Sequence, residues 1–182
     1  MMKSARILLV AAALAAAGCT TPKEVFAPMH PHWQVFTSTQ ARHSADFPGH
    51  SRQSLKETKM VSGPTASTYL REVQLSDRYF GTAWTQVPGD TASQAARDRL
   101  LEIAAAEAVK STGGKLLSKE RVANEGIAGL AYVIDIPQSK TRLRQQIFIA
   151  SGVLLEQTYA GPAGTEDERD PGRFFDSLKL LP

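Results

Sequence analysis

The stretch LAYVIDIPQSKTRLRQQIFIASGVLLEQTY, residues 130–159, decides the fold. Leu130, Tyr132, Ile134 and Ile136 alternate with Ala131, Val133 and Asp135, the two-residue period of a half-buried strand. Leu143, Gln145, Ile147 and Ile149 repeat it against Arg142, Arg144, Gln146 and Phe148, and Ser151-Gly152 turns the chain into Val153 to Tyr159. Connections this short cannot carry parallel crossovers, so the strands are expected to be antiparallel.

Upstream, Leu116 to Val122 is a further strand, followed by Gly126-Ile127-Ala128-Gly129 as a turn. Before it, Ala95 to Ser111 is rich in alanine, leucine, glutamate and lysine and predicts a long helix. Thr91-Ala92-Ser93-Gln94 fits a capping box, and Gly113-Gly114 ends the helix. Ala96, Leu100, Ile103 and Ala104 fall on one face with Val109 nearby, a small-residue stripe suited to close packing on a sheet. Tyr69, Val73 and Leu75, then Phe80, Thr82 and Trp84, predict a hairpin around Ser76-Asp77-Arg78. Trp33 to Thr37, Arg42 to Phe47 and Ser54 to Met60 are shorter candidate strands. Downstream, the acidic loop Glu166 to Asp170 reads as exposed. It precedes a short helix, Phe174 to Leu180, with Asp170 as its cap. The expected class is α+β: an antiparallel sheet of six to seven strands packed with a long helix and a short C-terminal one.

The first residues have a different character. Lys3 and Arg6 precede an unbroken apolar run, Ile7 to Ala17, the layout of a secretory signal and too short for a comfortable span of ~20 residues. Ala16-Ala17-Gly18 then leads into Cys19, the one cysteine of the chain. Pro22, Pro28 and Pro31 interrupt any helix between Cys19 and residue 32, so this segment reads as a tether and residues 33–182 as a single domain. Loss of Lys3 and Arg6 leaves 19 of the 21 basic groups against 18 acidic ones, and such a balance points to no nucleic-acid partner.

Two resemblances follow from these residues. Ala16 to Cys19 resembles the lipobox of bacterial lipoproteins, with Ala16 where leucine is commoner. It implies a leader of residues 1–18, acylation of Cys19 with fatty chains such as palmitate, and anchorage in a lipid bilayer. With Thr20 in place of the aspartate typical of inner-membrane retention, the resemblance implies the periplasmic face of the outer membrane. Each buried CH₂ of such a chain contributes ~0.8 kcal/mol. The landmarks Phe47-Pro48-Gly49, Gly113-Gly114-Lys115-Leu116-Leu117, Gly126 with Gly129, and Phe174-Phe175-Asp176-Ser177-Leu178 occur in an order similar to the PsbP-like fold. That fold is shared by the photosystem II extrinsic protein, DcrB-type envelope lipoproteins and Mog-type Ran-binding proteins. The resemblance implies a sheet between helices, a role in binding partners or assisting assemblies, and no shared active site. With two clear helices where the family often has more, one sheet face is expected to be partly open.

No GxSxG elbow and no HExxH helix is present, so a non-catalytic protein without a cofactor is expected. Met29, His30 and His32 alternate along the tether and offer soft and borderline ligands suited to copper, with His43 and His50 nearby in sequence. Asp135, Arg142, Arg144 and Glu156, with Thr158, are expected on one outward side of adjoining strands. They form either a partner surface or ordinary cross-strand charge pairs. The functional expectation is an envelope lipoprotein that binds or stabilises an envelope protein. Small-ligand or copper binding through residues 29–32 is the alternative.

Overall fold

The computed structural model describes residues 32–58, 66–87 and 91–181. The expected leader, Cys19, and Met29 and His30 of the expected tether lie outside these. Among the described residues ten strands and two helices follow in the order β1 (Trp33–Ser38), β2 (His43–Pro48), β3 (Arg52–Thr58), β4 (Ala66–Gln74), β5 (Tyr79–Gln86), α1 (Gln94–Thr112), β6 (Lys115–Asn124), β7 (Ile127–Ile136), β8 (Thr141–Ala150), β9 (Val153–Pro162), α2 (Arg169–Asp176) and β10 (Lys179–Leu180).

The alternation in residues 130–159 produces the expected antiparallel meander. β6 to β9 pair in sequence, and β9 then zips onto β5, closing a seven-stranded sheet in the order β3-β4-β5-β9-β8-β7-β6. Strands β1 and β2 do not extend that sheet. With β10 they form a separate three-stranded sheet.

Two tight turns set the register. Glu125-Gly126 joins β6 to β7 and Ser151-Gly152 joins β8 to β9, with both residues of each pair at positive φ. Such mirror-type turns match the twist of the flanking strands. The first is shorter than the Gly126 to Gly129 turn expected, because Ile127 to Gly129 already pair within β7.

Two cores result, one on each side of the large sheet. Leu101, Ala104, Ala105 and Ala108 of α1 pack on Leu130, Tyr132, Ile134, Leu143, Ile147 and Leu154. The alanines let the helix axis approach the sheet closely. The buried stripe is rotated from the expected one: Ile103 is 37% exposed, whereas Leu101 is fully buried. Ser93 caps the helix in place of Thr91, accepting from the Ala96 amide at 3.1 Å, and Gly113 ends it in the left-handed conformation. On the opposite face, Phe80, Phe148, Leu155 and Tyr159 meet Ala45 and Phe47 of the small sheet and Phe174, Phe175 and Leu178.

The C-terminal helix begins earlier than expected, at Arg169, and stops at Asp176. Pro171 is tolerated in its first turn, where no amide is needed. Asp170 lies inside the helix; Glu168 is the cap position and makes no side-chain capping bond. Lys179 and Leu180 leave helical geometry to pair with Ser44 and His43.

Candidate functional site

The polar residues expected on one side of β7 to β9 divide between two faces. Asp135, Arg142 and Arg144 share a face, since Arg142 pairs with Asp135 and Arg144 with Val133. Across the Ser151-Gly152 turn, Ala150 pairs with Val153, so even-numbered residues of β8 oppose odd-numbered residues of β9. Arg144 therefore opposes Tyr159, whereas Glu156 opposes Ile147 and Thr158 opposes Gln145, on the α1 side. Glu156 does not belong to the arginine surface.

The two arginines are held by the chain itself. Arg142 Nη1 bonds Glu166 Oε1, and its Nε lies 3.6 Å from Asp135. Arg144 Nη1 donates to the Glu166 carbonyl and to Asp167 Oδ1, each at 3.2 Å, and its guanidinium lies 4.4 Å from the Phe175 ring centre. Glu166 is buried, not exposed as expected for its loop, and also accepts from the Gly164 amide at 2.8 Å. Burial raises its pKa, but the Arg142 bond and backbone amides outweigh this and hold the carboxyl below its usual range. The cluster clamps the loop before α2 onto the sheet.

The histidines separate as well. His32 and His50 are exposed, and pairing of Trp33 with Pro48 places them at the same end of the β1–β2 hairpin. His43 lies at the other end of that hairpin and is fully buried. It packs edge-on against Trp84 and Phe36, with ring centres at 5.5 and 5.9 Å, and its Nε2 lies 3.3 Å from Thr82 Oγ1. Burial pushes its pKa down to about 4, against a smaller opposite effect of the Ala41 backbone. It serves the core and cannot join His32 as a ligand. Among the described residues no three His, Cys, Asp or Glu side chains are grouped to hold a metal.

Glu156 is the group that the sequence reading misplaced and whose environment it missed. Its side chain lies on the α1 face of β9, between Ala83 of β5 and Ile147 of β8. Burial pushes its carboxyl up to about 7. Two phenols sense its charge: Tyr132 is raised first by burial and then by Glu156, and Tyr79 by burial, Glu72 and Glu156. The odd pairing sum imposed by a two-residue turn was the signal available in the sequence.

The architecture is that of an α+β protein with a PsbP-like fold. Among solved structures the chain is similar to the solution structure of cyanobacterial PsbP (CyanoP) from Synechocystis sp. PCC 6803. The TM-score is 0.56 at 9% identity, over 87% of this chain and 98% of that one. The likeness carries the fold and no residue's role. A protein of unknown function from Pseudomonas aeruginosa, PA94, matches over 78% of this chain and 90% of its own, with 15% identity and a TM-score of 0.39, too low to add to the argument. No protein-family model matches the sequence, and no curated protein does.

Proposed function

We propose that this chain is a lipoprotein of the cell envelope, held by acylated Cys19 at the periplasmic face of the outer membrane. Its domain binds or stabilises another envelope component and catalyses no reaction. The observation that carries the reading is the basic start, the apolar run Ile7 to Ala17 and the Ala16-Ala17-Gly18-Cys19 junction, followed by a proline-interrupted segment before the domain begins at Trp33. Acyl chains on the sulfur would hold the protein at a bilayer, and the tether would let the sheet domain stand off from it. The internal commitment of Arg142, Arg144 and His43 supports a scaffold role, because those side chains stabilise the fold.

Labelled palmitate should be incorporated by the wild type and not by Cys19→Ser. Crosslinking in intact envelopes should recover one reproducible protein. Absence of label from the wild type would remove the anchor, and repeated recovery of no partner would remove the binding role.

Copper binding by Met29, His30 and His32 is a second reading, favoured by the register that brings His32 and His50 to one end of the hairpin. Calorimetry of copper into the wild type and a His30→Ala, His32→Ala variant separates it from the first. Equal heats in both discard it.

A further inference from the structure

Pairing across the large sheet lines up one row of apolar side chains. Phe148 of β8 opposes Leu155 of β9, Leu155 opposes Trp84 of β5, Trp84 opposes Tyr69 of β4, and Tyr69 opposes Leu55 of β3. Residues directly opposite in an antiparallel pair share a face, here the one that carries the aromatic core. The first three are buried, and Tyr69 stacks on Trp84 with ring centres 5.5 Å apart. The row then runs out into solvent, because Leu55 is 53% exposed.

β3 is the last strand on this side of the sheet, and among the described residues nothing pairs with its outer edge. Arg52 to Lys56 are all exposed. The small sheet stops short of Leu55, and α1 packs on β7 and β8 at the other end. An edge this open presents unpaired amides and carbonyls to any strand that fits.

The charges of β3 say which strand fits. A two-fold axis perpendicular to a sheet keeps each face on its own side, so a second β3 would oppose residues of the same parity. With the axis at Leu55, Leu55 meets its own copy, Ser54 opposes Lys56, Gln53 opposes Glu57 and Arg52 opposes Thr58. Each charge then faces a neutral hydrogen-bonding side chain, and the Arg52 charge is already held by Glu72 at 3.0 Å. Moving the axis one residue either way sets Lys56 against Lys56 or against Arg52, which repel. The opposite edge of the sheet is closed to such pairing. With Lys119, Glu120 or Arg121 of β6 on the axis like charges meet, and a register shift at Leu117 interrupts the ladder.

We infer that β3 docks a second copy of this chain, antiparallel and centred on Leu55, so that the apolar row continues across the axis into the copy. A seven-residue ladder is small beside the ~1,000 Å² expected of a stable interface, so the dimer is weak and reversible. The contact goes beyond the proposed envelope role and needs neither the anchor nor another protein.

Sedimentation equilibrium of the full chain in density-matched detergent, over a range of concentrations, should show reversible dimers. Leu55→Lys should weaken self-association at least about tenfold, since it replaces an apolar contact on the axis by two like charges, and so should Leu55→Glu. An equimolar mixture of the two variants should recover association, because opposite charges then meet. Leu55 is exposed, so both variants should unfold at the wild-type temperature. A wild type that stays monomeric, a dimer that Leu55→Lys leaves intact, or no recovery in the mixture overturns the inference. In intact envelopes Leu55→Cys should oxidise to a species of twice the mass that the wild type does not form. An adduct with a different protein instead shows that the edge takes a foreign strand, and overturns it as well. Loss of the palmitate label, or of a crosslinked envelope partner, would leave the sedimentation results unchanged, so the two readings fail separately.

Discussion

His43 Nε2 lies 3.3 Å from Thr82 Oγ1, which joins the three-stranded sheet to the seven-stranded one inside the aromatic core. Burial lowers the pKa of this imidazole from 6.5 to about 4, so the folded state holds it neutral where the unfolded chain is protonated. Its stabilising effect is therefore full above pH 6.5 and is lost as pH falls towards 4. Between those limits the loss should reach roughly 3 kcal/mol. Urea unfolding at a series of pH values should show this slope in the wild type and a shallower one in His43→Gln. Parallel slopes would refute the assignment.

Arg142 neutralises Glu166, a carboxylate on an almost fully covered side chain. Arg142→Ala should lower the denaturant midpoint measurably, by less than loss of a fully buried pair, because the arginine is partly exposed. Glu166→Gln should cost less, since it leaves no unpaired buried charge. A double-mutant cycle by denaturant titration checks the coupling. The depressed carboxyl of Glu166 adds stability above its ordinary value of 4.5 that disappears as pH falls through the lowered one.

Gly129 is required by close approach. A Cβ there would meet the Phe148 ring and sit 2.5 Å from the Ile147 carbonyl oxygen. The carbonyl belongs to the paired strand and cannot rotate away, so Gly129→Ala should cost about 2–4 kcal/mol. Gly126→Ala meets nothing within 4 Å and strains only a positive φ of 78°, for about 1 kcal/mol. Thermal unfolding of the two variants should rank them in that order.

Asn124 acts as a short piece of strand. Its Nδ2 donates to the Leu178 carbonyl at 2.8 Å, and its Oδ1 accepts from the Leu180 amide at 3.0 Å. Asn124→Ala should cost roughly 2 kcal/mol and speed hydrogen exchange at Leu180 while leaving the β8 amides protected. Equal acceleration at both places would show that the amide pair does not anchor β10.

Local pattern made much of the architecture legible. The period in Leu130 to Tyr159, the hairpin around Asp77 and the alanine-rich helix ending at Gly113 are statements about neighbouring residues, and each appears in the fold. The phase of the helix stripe was less accessible. Leu101 and Ile103 are both apolar, and only docking on β7 and β8 selects Leu101 for burial. The split into two sheets was hidden because the pairing of β2 with β10 joins residues far apart in the chain, which no window of sequence contains.

For the site the division is sharper. The sequence alone determined that Asp135 and Arg142 flank one turn of a meander, that Met29, His30 and His32 precede the domain, and that Cys19 follows an apolar run. Tertiary structure decided which charges meet. It gave the arginines to Glu166 and Asp167, enclosed His43 among aromatic rings, and set Glu156 on the opposite face. The physical reason is that charge is a property of a residue, whereas burial and pairing belong to surfaces that exist only once distant strands have closed on one another.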